Sequence, residues 1–361
     1  MKRITSILIL CLLTQSVWAQ KEFKPAFIKS KMEQVTAWQL ANPLHHPTDW
    51  TNGAFYAGVT AAYETTQKQW ILDSLMALGE RTNWKPGHRY DHADDIAISQ
   101  TYVDIYRIKK DESFIKPTWD TLIKIQFWPG KEIANHGISW WWCDALFMGP
   151  PTFAKIAKET GDASFLATND KFFKECYDLL YNQDEHLFAR DASYLMDKNG
   201  NQKLEANGKK IFWSRGNGWV MGGLVRLLNE LPKDYPQRGF YETLFKEMSA
   251  SLAKLQQADG LWRSSLLDPQ AYPGGEASGS GFDIYALAWG VNTGLLPKKE
   301  YLPVIKKGWK GLNTLVQANG KVGWVQPIGA DPRRNFDKDS YEVFGSGAYL
   351  LAGSEVIKLK K

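Results

Sequence analysis

The chain has 361 residues, with 44 Lys plus Arg against 39 Asp plus Glu, 44% hydrophobic and 23% charged. That composition excludes a disordered chain, a collagen-like fibre and a coiled coil, and the length suffices for a large core. Sixteen Trp, 15 Tyr and 17 Phe make the chain heavily aromatic; such side chains fill cores by default and also stack on flat apolar ligand faces, sugar rings included.

Lys2 and Arg3, the apolar run Ile7 to Leu13 and the small-residue site Val17-Trp18-Ala19 have the pattern of a secretory signal peptide cut after Ala19. The run is too short to span a bilayer. Cys11 lies inside it with no small residue before it, which argues against a lipoprotein site. Export is therefore expected, to the periplasm of a Gram-negative cell or beyond, with residues 20–361 forming a single domain. Cleavage removes two positive charges and lowers the formal net charge from +5 to +3. So small and dispersed an excess implies no nucleic-acid partner but suits an acidic small substrate. Cys143 and Cys176 remain, two buried thiols rather than a disulfide framework. No CxxC or HExxH is present and the six His are scattered, so no metal and no cofactor is expected; P-loop, GxSxG and Rossmann patterns are absent too.

Apolar residues at three- and four-residue spacing predict helices over 27–41, 53–66, 68–83, 92–109, 112–127, 138–160, 163–181, 218–231, 238–257, 281–294, 299–317 and 341–358. Turn residues punctuate them, as at Lys85-Pro86-Gly87, Thr160-Gly161-Asp162, Leu231-Pro232-Lys233 and Leu296-Pro297. Twelve helices as six hairpins define an all-α fold, an (α/α)6 barrel of two concentric rings. Residues 182–215, 258–280 and 318–340 break the helical period. They carry short β-like pieces, Leu187 to Arg190, Lys210 to Trp213, Gly260 to Arg263 and Val322 to Val325, with exposed-looking tryptophans. Long glycine-bearing loops in a compact domain are functional or disordered, and the aromatics favour function. Toroids of this kind mostly act on carbohydrates, which is an argument from fold analogy.

Three constellations carry chemistry. In Trp140-Trp141-Trp142-Cys143-Asp144-Ala145-Leu146-Phe147-Met148, a continuous helix would put Trp140, Trp141, Phe147 and Met148 around Asp144. Desolvation there would raise the carboxyl's pKa and make it a proton donor near neutrality; the structural alternative is a buried Asp tied to a helix end or an Arg. In His88-Arg89-Tyr90-Asp91-His92-Ala93-Asp94-Asp95, Asp91 reads as an N-cap with acids in the first turn. His92 beside Asp94 and Asp95 would equally position sugar hydroxyls. In Phe212-Trp213-Ser214-Arg215-Gly216-Asn217-Gly218-Trp219, a guanidinium beside free backbone N–H groups suits a carboxylate, with Trp213 and Trp219 as stacking walls. The alternative is a helix cap with Arg215 paired internally and both tryptophans in the core. Arg190-Asp191 and the loop Pro273 to Gly279, taken alone, read as surface or hairpin features.

Taken together, the segments Asp49 to Gly53, Trp142 to Met148, Trp213 to Trp219 and Glu276-Ala277-Ser278-Gly279 resemble the unsaturated uronyl hydrolases, glycoside hydrolase families 88 and 105. The resemblance spans nearly the whole chain after Ala19. It implies an (α/α)6 barrel without metal that acts on the 4,5-unsaturated uronic acid left at non-reducing ends by polysaccharide lyases. The family's central Asp maps onto Asp144 as general acid and base, and its second Asp falls within Asp94-Asp95. Trp142, Trp213, Arg215 and Trp219 match positions that hold the unsaturated sugar, Arg215 as one ligand of its carboxylate. Arg190 stands where many members carry His, and Cys143 precedes the central Asp in place of an aliphatic residue. These departures bear on aglycone and linkage, including glucuronyl against galacturonyl ends.

The partner expected is thus an acidic oligosaccharide, with no nucleic acid and no membrane span, and the chain acting as monomer or homodimer. The competing readings are an ordinary uronidase or polysaccharide lyase on the same fold, and a non-catalytic glycan-binding protein of the envelope.

Overall fold

A computed structural model describes residues 21–127, 136–197 and 199–359; the expected signal peptide lies outside them. The long helices are α1 (Pro25–Ala41), α2 (Trp50–Thr66), α3 (Gln69–Thr82), α5 (Ser99–Lys109), α6 (Lys116–Phe127), α8 (Pro150–Thr160), α9 (Ser164–Leu180), α10 (Ser214–Glu230), α11 (Arg238–Leu255), α12 (Ala277–Thr293), α13 (Lys298–Thr314) and α14 (Val343–Val356). Single turns α4 (Ala93–Ile96) and α7 (Ala145–Met148) precede α5 and α8, and a two-residue hairpin pairs β1 (Tyr181–Asn182) with β2 (Leu187–Phe188).

Burial sorts the helices into two rings. In α2, α10, α12 and α14 nearly every residue is buried, whereas α1, α3, α6, α9, α11 and α13 bury one stripe each. An all-round buried helix must be enclosed by others. The inner ring therefore runs α2, α4–α5, α7–α8, α10, α12, α14 and closes on α2. The predicted (α/α)6 barrel is the fold. Glycine permits the closest contact of the ring: a Cβ on Gly58 or Gly347 would collide with the facing backbone, so α14 and α2 touch main chain to main chain.

The barrel axis is filled, not open. Trp50, Phe147, Trp219, Phe282 and Phe344, from five inner segments, meet with Trp219 at the centre. Its ring lies 4.5 Å from Phe282, 5.0 Å from Phe147 and 5.9 Å from both Trp50 and Phe344. The tilted and edge-on geometries are those aromatic quadrupoles prefer. Trp219 is wholly buried core, not the stacking wall the sequence suggested.

Connections differ sharply at the two ends. At one end they are short, from Gln67–Lys68 to Leu231–Gln237; at the other lie the long segments 181–213, 256–276 and 315–342. The N-termini of the inner helices all open toward the long loops. At the opposite end the chain builds a buried ionic cluster: Arg107 donates to Glu230 at 2.7 and 2.9 Å and to Glu159 at 2.7 Å, Lys155 pairs with Asp104 and lies 3.4 Å from Glu230, and Lys158 lies 3.1 Å from Glu230.

Several expected boundaries shift for local reasons. The 92–109 helix breaks at Ala97-Ile98, and 112–127 starts at Lys116 behind a 3-10 turn. The 138–160 helix starts only at Ala145 and is interrupted at Gly149, ahead of Pro150-Pro151, because Trp142 and Cys143 instead pair in extended form with Asp191 and Arg190. Among the β-like pieces only Leu187-Phe188 forms a strand; Lys210, Trp213, Arg263 and Val322 make isolated bridges. The loop tryptophans Trp213 and Trp262 are buried, not exposed. Cys143 and Cys176 are buried free thiols, as expected. Among the described residues no helix is long and apolar enough to cross a membrane.

Burial raises the Glu230 carboxyl, but hydrogen bonds from Arg107 and the charges of Lys155, Arg107 and Lys158 overcome it and hold the group well below the usual carboxylate range. Its stabilising contribution is present above the unfolded-state value and disappears as pH falls through the folded value. Replacing Glu230 by Gln leaves these cations short of a partner, and a loss of about 3 kcal/mol at neutral pH is expected. Denaturant titration at pH 7 and at pH 3 should show the gap from wild type narrowing in acid.

Candidate active site

The mouth is assembled from the N-terminal ends of the inner helices and the loops before them. Asp49 caps α2, accepting the Thr51 N–H at 2.9 Å. α4 is capped by His92, not Asp91: the His92 Nδ1 accepts the Asp94 N–H at 3.3 Å, and the ring lies 4.7 Å from that of Trp142. Burial and the neighbouring Arg89 push His92 down to about 4, against the opposing charge of Asp95. The imidazole is therefore neutral at physiological pH.

Asp94 and Asp95, adjacent in sequence, have different surroundings. Asp95 is clasped by Arg89, whose Nε donates to Oδ1 at 2.8 Å and Nη2 at 2.5 Å, while the Arg89 backbone N–H donates to Oδ2 at 2.7 Å. Its acceptor capacity is spent on folding the 87–95 loop. Asp94 keeps a carboxyl 17% exposed, with Arg89 at 4.0 Å and His92 at 3.6 Å. Burial first, then the charge of Asp144, with smaller contributions from Asp95 and Asp49, raises it to about 8 against the pull of Arg89. Two carboxyls that share a desolvated site cannot both ionise freely.

Asp144 stands at the start of α7 rather than inside a helix, so Trp140 and Trp141 do not lie one turn before it on its own face. It is buried nonetheless, with Cys143 and Arg190 against its carboxyl. Burial raises its carboxyl, while Arg190 and Arg215 pull it down and Cys143, whose Sγ donates to Oδ2 at 3.6 Å, adds a weak contact. Arg190 follows β2 by two residues; its Nε lies 3.4 Å from Asp144 and its Nη1 donates to Asp191 at 2.7 Å. Its guanidinium lies 5.8 Å from the Trp141 ring centre. Arg190-Asp191 is thus part of the mouth, not a surface feature.

Arg215 is wholly buried. Its Nη1 donates to the Gln326 carbonyl at 2.6 Å and its Nη2 to the Pro327 carbonyl at 3.0 Å, and the guanidinium is sandwiched 4.3 Å from Trp213 and 4.7 Å from Phe344. Burial lowers it to about 10, opposed by Glu276 and Asp144. With both Nη groups occupied, it is a fixed charge under the floor. Trp213 is likewise buried, its Nε1 donating to Gln326 at 3.3 Å.

The Arg215-to-Gly218 run has a local logic. The side chain of Asn217 accepts the Phe188 N–H at 2.8 Å and donates to the Phe188 carbonyl at 3.1 Å, fixing the strand that carries Arg190. Gly216 leaves room for the Cys143 sulfur. Glu276, expected in a hairpin loop, is a wholly buried N-cap: it accepts the Ser278 hydroxyl at 2.7 Å and the backbone N–H groups of Gly279 at 2.6 Å and Gln326 at 3.2 Å.

The structure thus gathers Asp94, Asp144, His92, Trp142 and Arg190 at the mouth, with Asp95 in a structural clasp and Trp213, Arg215 and Trp219 below. The sequence names Asp49, Arg89, Trp141, Asp191 and Asn217 only within longer segments and gives none of them a role of its own at the mouth. Among the described residues no group of His, Cys, Asp and Glu is placed to hold a metal ion.

An (α/α)6 barrel whose mouth holds two desolvated carboxyls among aromatic rings and an arginine has the make-up of a carbohydrate-cleaving enzyme. The chain belongs to glycosyl hydrolase family 88, whose sequence model matches residues 22–360, and it is a glycoside hydrolase. It is 45% identical to an unsaturated 3S-rhamnoglycuronyl hydrolase of Formosa agariphila over 98% of both chains. It is 34% identical to one from an Alteromonas species over 85% of this chain and 77% of that one. Among solved structures, one described as a polysaccharide lyase superposes with a TM-score of 0.84 at 32% identity, over 92% of this chain and 97% of the other.

The raised Asp94 carboxyl has a stability consequence. A group whose folded pKa lies above its unfolded value stabilises the fold below the unfolded value, and that contribution is lost as pH rises through the folded one. Between about pH 4 and pH 8 the wild type should therefore lose stability relative to Asp94→Asn, which does not titrate. Thermal melts of both proteins at half-unit steps test this; a constant difference in Tm across the range would show that the carboxyl is not raised.

Proposed function

We propose that the protein removes the 4,5-unsaturated uronic acid from the non-reducing end of lyase-generated oligosaccharides by hydrating the C4=C5 double bond. The observation that carries the reading is the paired Asp94 and Asp144, each raised by burial and together retaining a proton into the neutral range. The substrate is an enol ether. Asp144 delivers a proton to C4, positive charge develops at C5, and the same carboxylate then takes a proton from the water that adds there. The hemiketal formed at C5 opens and the remaining sugar leaves. Asp94 holds the pair's proton inventory and keeps the mouth from carrying two negative charges against an anionic substrate.

Arg190, 21% exposed at the mouth, takes the uronate carboxylate in this scheme, and Arg215 contributes its charge from below. Trp142 and His92 form the wall on which the ring rests. Since two relatives are named for 3S-rhamnoglycuronyl ends, the favoured substrate is an unsaturated glycuronyl residue joined to rhamnose. Residues 2–19 support export, with the periplasm as the site of action. A second reading, a polysaccharide lyase on the same fold, is favoured by the likeness to the solved structure so described; it requires new double bonds to form rather than existing ones to vanish.

Ultraviolet absorbance of the conjugated double bond, followed on lyase digests of pectin, glycosaminoglycan and ulvan, tests both. Loss of absorbance with one digest is expected. Absorbance that persists while reducing ends appear would mean ordinary glycoside cleavage, and rising absorbance on undigested polymer would mean a lyase. Asp144→Asn should lower kcat by at least about 1,000-fold with KM little changed, the pattern of a group acting in the transition state. Arg190→Gln should chiefly raise KM, and an unchanged KM would remove Arg190 as the carboxylate ligand.

A further inference from the structure

Arg190 is one cation between two buried carboxyls. On one side Asp191 accepts its Nη1 at 2.7 Å through Oδ2, while Oδ1 accepts the Ser193 N–H at 2.9 Å and caps the 3-10 turn Ala192–Tyr194. On the other side the Asp144 Oδ2 lies 3.4 Å from Nε, yet Nε, itself buried, donates to nothing. Main chain holds the two acids in this row: Trp142 bridges Asp191, and the Cys143 N–H donates to the Arg190 carbonyl at 2.8 Å. The two contacts differ in kind. The first is a short bond to an acceptor tied to backbone; the second is a charge held close without a bond.

A guanidinium is best used when two parallel N–H groups meet one carboxylate. In Arg190 the Nη1 group is committed to Asp191, whereas the Nε–Nη2 edge has no hydrogen-bond acceptor among the described residues. The side chain is 21% exposed at the mouth, so an incoming carboxylate can reach that edge. The other charged or titratable groups facing Asp144 are Arg215 from α10, Asp94 from α4, Cys176 from α9 and the adjoining Cys143; Asp191 and Tyr194 also face Arg190. Of the two cations acting on Asp144, Arg215 is buried with both Nη groups on carbonyls. Arg190 is therefore the one that a ligand can draw away.

We propose that Arg190 is passed from Asp144 to the substrate's uronate carboxylate, with Asp191 as the positioning residue that holds the guanidinium through the exchange. The inference rests on the hydrolase reading for the role of Asp144, and on the Asp191–Arg190–Asp144 row alone for the exchange. Its consequence is that the substrate arms the acid. While Arg190 faces Asp144, its charge favours the carboxylate form. Once the uronate neutralises that charge, Asp144 binds the proton that C4 requires. A sugar without a carboxylate would leave the acid ionised, so selection for uronates acts on kcat as well as on KM.

The pH profile of kcat/KM reports the free enzyme and that of kcat the substrate complex. The basic limb, where the carboxyl pair loses its proton, should lie about one pH unit higher in kcat than in kcat/KM for wild type. Arg190→Gln should move the kcat/KM limb up by about one unit and close the gap. Asp191→Asn, whose side-chain oxygen still accepts the Ser193 N–H, should move that limb down, because the whole guanidinium charge then falls to Asp144. Opposite shifts from two neighbouring substitutions are not what residues that merely shape the mouth produce. Coincident limbs in wild type, or a kcat/KM limb that Arg190→Gln leaves in place, would overturn the proposal. Calorimetry with methyl glucuronide, which has no double bond to hydrate, makes the comparison without turnover. In two buffers of different ionisation enthalpy, saturated wild type should take up protons and saturated Arg190→Gln fewer; no uptake by wild type would also overturn the proposal. If wild type leaves every double bond intact in the lyase digests while this uptake appears and falls in Arg190→Gln, the hydrolase reading fails and the exchange stands.

Discussion

The structure depends on one directional constraint: the inner helices all point the same way. Alternation of outer and inner helices along the chain forces it, since every inner segment is entered from a long loop and left through a short one. Every inner N-terminus therefore opens on one end, where unpaired backbone N–H groups and the positive ends of helix dipoles collect. Asp49, His92 and Glu276 satisfy some of those N–H groups as caps. Asp144, at the start of α7, stays out of that role and keeps its carboxyl unspent. The mouth is thus inclined toward anions before any side chain is considered, and Arg190 and Arg215 add to the inclination.

The opposite end of the ring gathers buried charges of both signs. There Asp104, Arg107, Lys155 and Glu230 settle one another's charges in a closed network. The two ends are separated by the aromatic plug around Trp219, which gives each its own electrostatic surroundings. At the base Glu230 is held low by adjacent cations, whereas Asp94 and Asp144 at the mouth are held high. The contrast between Glu230 and the mouth carboxyls lies in partners rather than burial, since all three are withdrawn from water.

How much of this was legible in the sequence varies with the range of the interaction. Twelve amphipathic or wholly apolar stretches sufficed for the barrel, because helix periodicity is local. The sequence points to Asp144 through a continuous helix over 140–148, yet Trp142 and Cys143 pair with the segment after β2, a contact across nearly fifty positions that no local pattern reveals. The choice between Asp94 and Asp95 turned on Arg89, whose fork closes on one acid and not its neighbour. Arg215 and Trp219 illustrate the reverse error. A glycine-rich helix start next to tryptophans reads as an open anion site, but two carbonyls from residues 326 and 327 arrive from far along the chain to occupy the guanidinium.

The plug has a topological consequence as well as an electrostatic one. A barrel with a stopper across its axis is a blind cup, not a tunnel, so a polymer cannot thread through it and slide onward after each cut. A ligand held at the mouth must leave by the way it came.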